Sequence, residues 1–156
     1  MVSQTSTINV RQRMHPNVEI LHAVYDDLTR IGEFTGDDVV LHPADREETS
    51  HLVVGKDAVT DWEVSLIGLT GGTLLMDVED ITANDYFGAD TGVLRAQPGG
   101  REVSMPFCGL WRFRDGLIVE HWENAYAPAA LAGLLTDLPD SACGDEGPPA
   151  DRVDRL

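Results

Sequence analysis

The chain has 156 residues, 42% of them hydrophobic, and sets 27 acidic against 11 basic residues for a formal net charge of −16. That length and apolar fraction suit one globular domain with its own core, and the charge repels phosphate backbones and anionic lipid, which argues against nucleic-acid and membrane partners. The two cysteines, Cys108 and Cys143, fall in a predicted strand and a tail, so neither a structural disulfide nor a zinc-ligand spacing is expected. A basic leader followed by an apolar segment is lacking, as is an apolar run long enough for a bilayer, so a soluble cytoplasmic protein is the expectation.

Residues 1–14 are polar and aperiodic and read as a flexible arm. Pro16 suits a first helical position. Val18, Leu21, Val24, Tyr25, Leu28 and Ile31 then recur at helical spacing up to Gly32, which predicts a helix over 16–31. Asp37–Pro43 reads as a short strand ended by proline, and residues 44–51 as a polar loop. Val59, Trp62, Leu66 and Leu69 form the buried stripe of a second helix over about 56–70, with Asp57 in its first turn and Gly71-Gly72 at its end. Strands follow at about 73–83, 86–96 and 102–114, separated by Asn84-Asp85 and by Gln97-Pro98-Gly99-Gly100. A short helix is expected near 127–135. Residues 137–156, rich in Pro, Gly and Asp, cannot bury enough surface to offset their ordering entropy and read as a disordered acidic tail.

The stretch Phe107–Tyr126 organises the rest. It reads as two strands joined at Arg114-Asp115-Gly116-Leu117, because Asp-Gly supplies the positive φ angles of a type I′ turn. Strict alternation puts Leu117, Val119, His121, Glu123 and Ala125 on one face, and Ile118, Glu120, Trp122 and Asn124 on the other. Helices first and antiparallel strands after them predict an α+β domain over residues 15–136.

Four stretches, VYDDL (24–28), DDVVLHP (37–43), VGKDAVTDW (54–62) and WRFRDGLIVEHWE (111–123), resemble in order and spacing the NTF2-like superfamily, specifically its SnoaL-like branch of small polyketide cyclases. The resemblance spans roughly residues 15–135. It implies a cone-shaped α+β barrel, a strongly curved mixed or antiparallel sheet wrapped around the N-terminal helices, with a pocket in the cone. In that family a short second helix usually follows the first, and Gly32–Gly36 leaves little room for it.

Within that frame Tyr25 reads either as a core tyrosine or as a phenol donating into the cavity, as the matching tyrosine of ketosteroid isomerases does. His42 reads either as a histidine satisfied by backbone or as a proton carrier, since an unperturbed pKa of ~6.5 suits transfer near neutrality. His121 and Glu123 share a face at i, i+2, with Cβ atoms about 6.5–7 Å apart, and either flank a substrate or lie on a wetted outer face. The match to Glu123 in polyketide cyclases and limonene epoxide hydrolases is an acid–base aspartate. Inside the cavity, burial would raise the Glu123 pKa and a protonated His121 would pull it back. Trp62, Trp111 and Phe107 are the expected apolar walls for a flat substrate. Asp77 and Glu79 read as surface carboxylates before a cavity role, and His15, His22 and His51 receive none.

Two departures limit the chemistry. The Arg-x-Asp of limonene epoxide hydrolases is matched here by Asp90-Thr91-Gly92, and the second oxyanion aspartate of ketosteroid isomerases by Gly109. The resemblance therefore implies cofactor-free, metal-free acid–base chemistry, aldol cyclisation or isomerisation, on a hydrophobic carbonyl or polyketide-like substrate. The alternative is a non-catalytic ligand-binding or interaction protein. A homodimer is expected through an outer patch of Trp122 and Ile118.

Overall fold

The computed structural model describes residues 14–44 and 52–136. Helix α1 (Pro16–Asp26) starts where the sequence places it: Pro16 needs no amide partner, and His15 Nδ1 accepts from Asn17 N at 3.1 Å. It ends five residues earlier than the apolar spacing predicts. Asp27 turns extended, and its carboxylate caps Thr29 N at 3.1 Å, which opens a 3-10 segment, Leu28–Phe34. The i, i+3 step from Leu28 to Ile31 suits a 3-10 helix as well as an α-helix, and Ile31 is buried either way.

Strand β1 (Thr35–His42) pairs antiparallel with the two-residue β2 (Val53–Val54). Helix α2 (Lys56–Leu69) follows, ended by Gly71 and Gly72 at positive φ. Then come β3 (Leu75–Ala83), β4 (Phe87–Ala96), β5 (Val103–Arg114), β6 (Leu117–Ala125) and the short helix α3 (Pro128–Thr136). The sheet order is β2-β1-β6-β5-β4-β3, with β1 and β6 parallel and the other pairs antiparallel. The expected α+β class, with a mixed six-stranded sheet, is what forms. Asp115 and Gly116 turn the closing hairpin at φ 53° and 76°, as the Asp-Gly signal requires.

The register shifts at three places, between Thr35 and Val40 in β1, in β3 and in the closing hairpin, and such irregularities bend a sheet. In β3 the register slips between Val78 and Asp80. Gly92 lies opposite this bulge; a Cβ there would stand 2.3 Å from the carbonyl oxygen of Asp77. In the closing hairpin Arg112 pairs with Glu120 but Phe113 with Ile118, so Val119 is the extra residue. This corrects strict alternation along β6. Ile118, at 0% exposure, joins Trp111, Phe113, Leu21, Val24, Val39, Leu41 and Val59 in the core, and beyond the bulge His121 is also buried. The outer patch therefore lacks Ile118; exposed Phe87 and Leu110 lie beside Trp122 instead. Asp77 and Glu79 are exposed, and Asp77 pairs with Arg95 at 3.6 Å. The expected arm (apart from residue 14), residues 45–51 of the polar loop, the tail and Cys143 lie outside the described residues.

Candidate functional site

Helices and sheet leave one strongly apolar pocket between them. Counted to its open mouth, the empty space is about 900 Å³. Leu66 and Leu69 of α2, Met76, Leu94 and Phe107 of the sheet, and Leu131 of α3 supply apolar wall, while Tyr25, Glu63, His121 and Glu123 bring polar atoms to it.

Strand β6 carries His121 and Glu123 to one face, as i, i+2 spacing demands. Glu123 is anchored at both oxygens, Oε1 accepting from Trp62 Nε1 and Oε2 from Ala44 N, each at 3.2 Å. Trp62 is thus not among the residues lining the pocket; it holds the carboxylate that is. Trp111 and Phe107 do line it. His121 is 5% exposed and stacks face to face on Trp111, with ring centroids 3.4 Å apart and an interplanar angle of 9°. Its Nδ1 is buried without a hydrogen-bond partner. Burial, and secondarily the charge of His42, push the His121 pKa down to about 3. The imidazole is therefore neutral near neutrality, and the expected pull of a protonated His121 on Glu123 does not operate.

The carboxyl that meets Glu123 comes from α2. Glu63, 3% exposed, lies four residues after Val59 and three before Leu66, inside the apolar stripe of its helix. Burial first, and then the charge of Glu123, push its carboxyl well above the ordinary glutamate range. One atom each from Glu63, His121 and Glu123 lie within 4.8 Å of one another. The expected pair is a trio, and of the described residues this is the group able to hold a metal ion. Sequence reasoning missed Glu63, although a carboxylate on a buried stripe is itself the signal.

A second carboxylate, Asp90 of β4, is 2% exposed and surrounded by donors. Tyr25 donates to Oδ1 at 2.8 Å, Gly109 N to Oδ1 at 3.0 Å, and Trp111 Nε1 to Oδ2. Burial raises the Asp90 pKa against the opposing effect of these three hydrogen bonds. Burial, and then Asp90, hold the Tyr25 phenol well above its ordinary pKa. Tyr25 borders the pocket, but its proton is already donated. Gly109 makes room: a Cβ there would meet Asp90 Oδ2 at 2.6 Å and Trp111 Nε1 at 2.8 Å. The sequence signal for Asp90 was an acid between Gly88 and Gly92 on one strand face, opposite Gly109.

His42 stands apart from the trio. Its Nε2 meets Glu120 Oε1 at 2.8 Å, its ring stacks on Trp122 at 5.0 Å, and Glu120 is shared with Arg112 at 2.6 Å. None of these four residues lines the apolar pocket.

Residues 20–121 match the SnoaL-like domain family. Among solved structures, the chain is similar to Bal32a from a soil-derived mobile gene cassette, at 19% identity and TM-score 0.68, covering 77% of this chain and 96% of that one. It is also similar to a candidate SnoaL-like polyketide cyclase from Jannaschia sp. CCS1, at 16% identity and TM-score 0.65, covering 83% and 98%. A third is TerC, co-crystallised with polyporic acid, at 17% identity and TM-score 0.63, covering 78% and 98%. At these identities the likeness is one of fold. No curated protein matches the sequence. Among the described residues no helix is long and apolar enough to cross a membrane.

Proposed function

We propose proton transfer on a flat hydrophobic carbonyl compound as the reaction of this chain, which belongs to the SnoaL-like family of the NTF2-like superfamily. The observation that carries the reading is the closeness of two carboxylates, Glu63 and Glu123, that both line a largely apolar pocket. Their environments differ, as an acid and a base require. Burial and a neighbouring charge favour the protonated form of Glu63, whereas Glu123 has an N–H donor at each oxygen.

In this reading Glu123 takes a proton from the carbon next to a substrate carbonyl, and Glu63 gives its proton to the carbonyl oxygen. The product is an enol. Attack of that enol carbon on a second carbonyl of the same molecule closes a ring; return of the proton to a different carbon isomerises the substrate. Both outcomes conserve protons between the two glutamates and the substrate, and neither needs a cofactor. His121 and Trp111 act as a stacked wall against the reacting plane. The candidate polyketide cyclase from Jannaschia and the organic acid held by TerC support a small carbonyl-bearing ligand.

The test is deuterium exchange at the α-carbon of hydrophobic ketones and 1,3-diketones in D2O, followed by NMR. Exchange that Glu123→Gln abolishes in a folded protein supports the reading; exchange no faster than in buffer across the panel overturns it. Ligand binding without turnover is the second reading. It is favoured by Tyr25, whose hydroxyl proton is committed to Asp90 and so is not offered to a carbonyl.

A homodimer accompanies either reading. Phe87 and Leu110 are 57% and 48% exposed beside Trp122, an apolar patch suited to a second copy. Light scattering at micromolar concentration should give about twice the 17.0 kDa chain mass, and a mass of one chain would count against it.

A further inference from the structure

We propose that Glu63, His121 and Glu123 also form a binding site for one divalent cation of the zinc type, at the floor of the pocket. The site shares three side chains with the proposed reaction but does not rest on it: cation and proton compete for the same carboxylate oxygens.

Two oxygens and one imidazole nitrogen are a donor set that suits Zn2+ and its neighbours Mn2+ and Fe2+ better than the all-oxygen shells preferred by Ca2+ or Mg2+. The three residues come from two elements, α2 and β6, and each offers an atom within 4.8 Å of the others. Donor atoms around a tetrahedral ion with bonds of ~2.0–2.1 Å sit about 3.3 Å apart. Side-chain torsions therefore need to draw the group in by no more than about 1.5 Å.

A second observation concerns the same imidazole. His121 Nδ1 is buried and has no hydrogen-bond partner. A polar atom left so is unfavourable, and a metal bond to it would relieve that. The imidazole ring is fixed by the stack on Trp111, and Glu123 is oriented by Trp62 Nε1 and Ala44 N, the supporting contacts a ligating carboxylate normally has. Charge agrees as well. Two ionised glutamates buried together repel, and a divalent cation cancels both. Three protein ligands leave a fourth position open to the pocket.

The experiment uses the full chain, stripped with EDTA and dialysed. Zn2+ is then titrated by calorimetry in two buffers of different ionisation enthalpy, with metal content checked by equilibrium dialysis. The expected result is one bound equivalent, release of a proton on binding, and a higher melting temperature. Glu63→Gln and His121→Phe, each checked for folding by circular dichroism, should weaken binding at least tenfold. Co2+ added to the stripped protein should give visible absorption bands that His121→Phe removes. A stoichiometry unchanged in both variants would place the ion on surface histidines and overturn the site, as would no binding at millimolar Zn2+. Dialysis reads the cation and deuterium exchange reads the proton, so either reading fails without the other. With both correct, Zn2+ inhibits exchange and EDTA restores it.

Discussion

Asp90 and Glu63 are both carboxylates buried to within a few per cent, yet the molecule treats them oppositely. Asp90 meets three donors, from Tyr25, Gly109 and Trp111, and ties α1 to β4 and β5. At Glu63 burial acts first and the charge of Glu123 adds to it, with no opposing donor among the described residues. Asp90 has its hydrogen-bonding needs met and lies off the pocket, whereas Glu63 opens onto the pocket with capacity to spare. The lesson is that burial of a carboxylate does not by itself mark a reactive site. What separates scaffold from chemistry here is access to the pocket, which Glu63 and Glu123 have and Asp90 lacks.

Substitution of each carboxylate by its amide breaks the comparison most directly. Glu123→Gln and Glu63→Gln should each lower the exchange rate by ~10²–10⁴-fold, the usual worth of a general acid or base, while circular dichroism remains that of the parent. Asp90→Asn should do the reverse and act on stability first. An amide turns one acceptor oxygen into a donor, which must then face either Trp111 Nε1 or the pair of Tyr25 and Gly109. Loss of a hydrogen bond to a charged group costs about 1.5–3 kcal/mol, and each kcal/mol lowers the melting temperature by roughly 2–4 °C in a chain of this size. An Asp90→Asn protein with parental melting temperature would sink the scaffold assignment.

Gly109→Ala should be somewhat milder. The added Cβ collides with Asp90 Oδ2 and Trp111 Nε1, and forced overpacking costs about 1–3 kcal/mol. Denaturant melts measure this, and a neutral effect would mean that the Asp90 cluster is soft.

The remaining effects are in pH dependence, measured with EDTA present so that no cation occupies the trio. The folded-state pKa of His121 is about 3, below its ordinary ~6.5 in an unfolded chain. Between those values the unfolded chain binds the extra proton, so His121 removes stability as pH falls, by at most ~1.4 kcal/mol per pH unit. His121→Phe, which retains a ring against Trp111, should flatten that part of the acid limb. Glu63 has the opposite sign. Its folded pKa is raised, so its contribution is full at low pH and is lost as pH rises through the folded value. Glu63→Gln should therefore stabilise the protein toward alkaline pH, and an unchanged alkaline limb would show that Glu63 is not desolvated.

The elements whose signals are local were legible in the chain. Asp115-Gly116 specifies its turn because few other pairs adopt positive φ at two successive positions, and helical period places Val59 on the buried side of α2 with Trp62 and Leu66 half-buried beside it, whereas Leu69, expected on the same stripe, is exposed. Placement of His121 and Glu123 on a shared face followed from a period of two, which holds over two residues even when a bulge breaks it elsewhere. The trio did not follow, because Glu63 lies about sixty positions from Glu123 and only the packing of α2 on the sheet makes them neighbours. Strand order was equally decisive. The parallel pairing of β1 with β6 sets His42 beside Glu120 and Trp122, while the β4–β5 register sets Asp90 against Gly109. Local sequence carries backbone preference and face. Which distant faces meet, and which buried charges are left without a partner, was decided by the tertiary structure, because long-range pairing leaves no periodic trace in the chain.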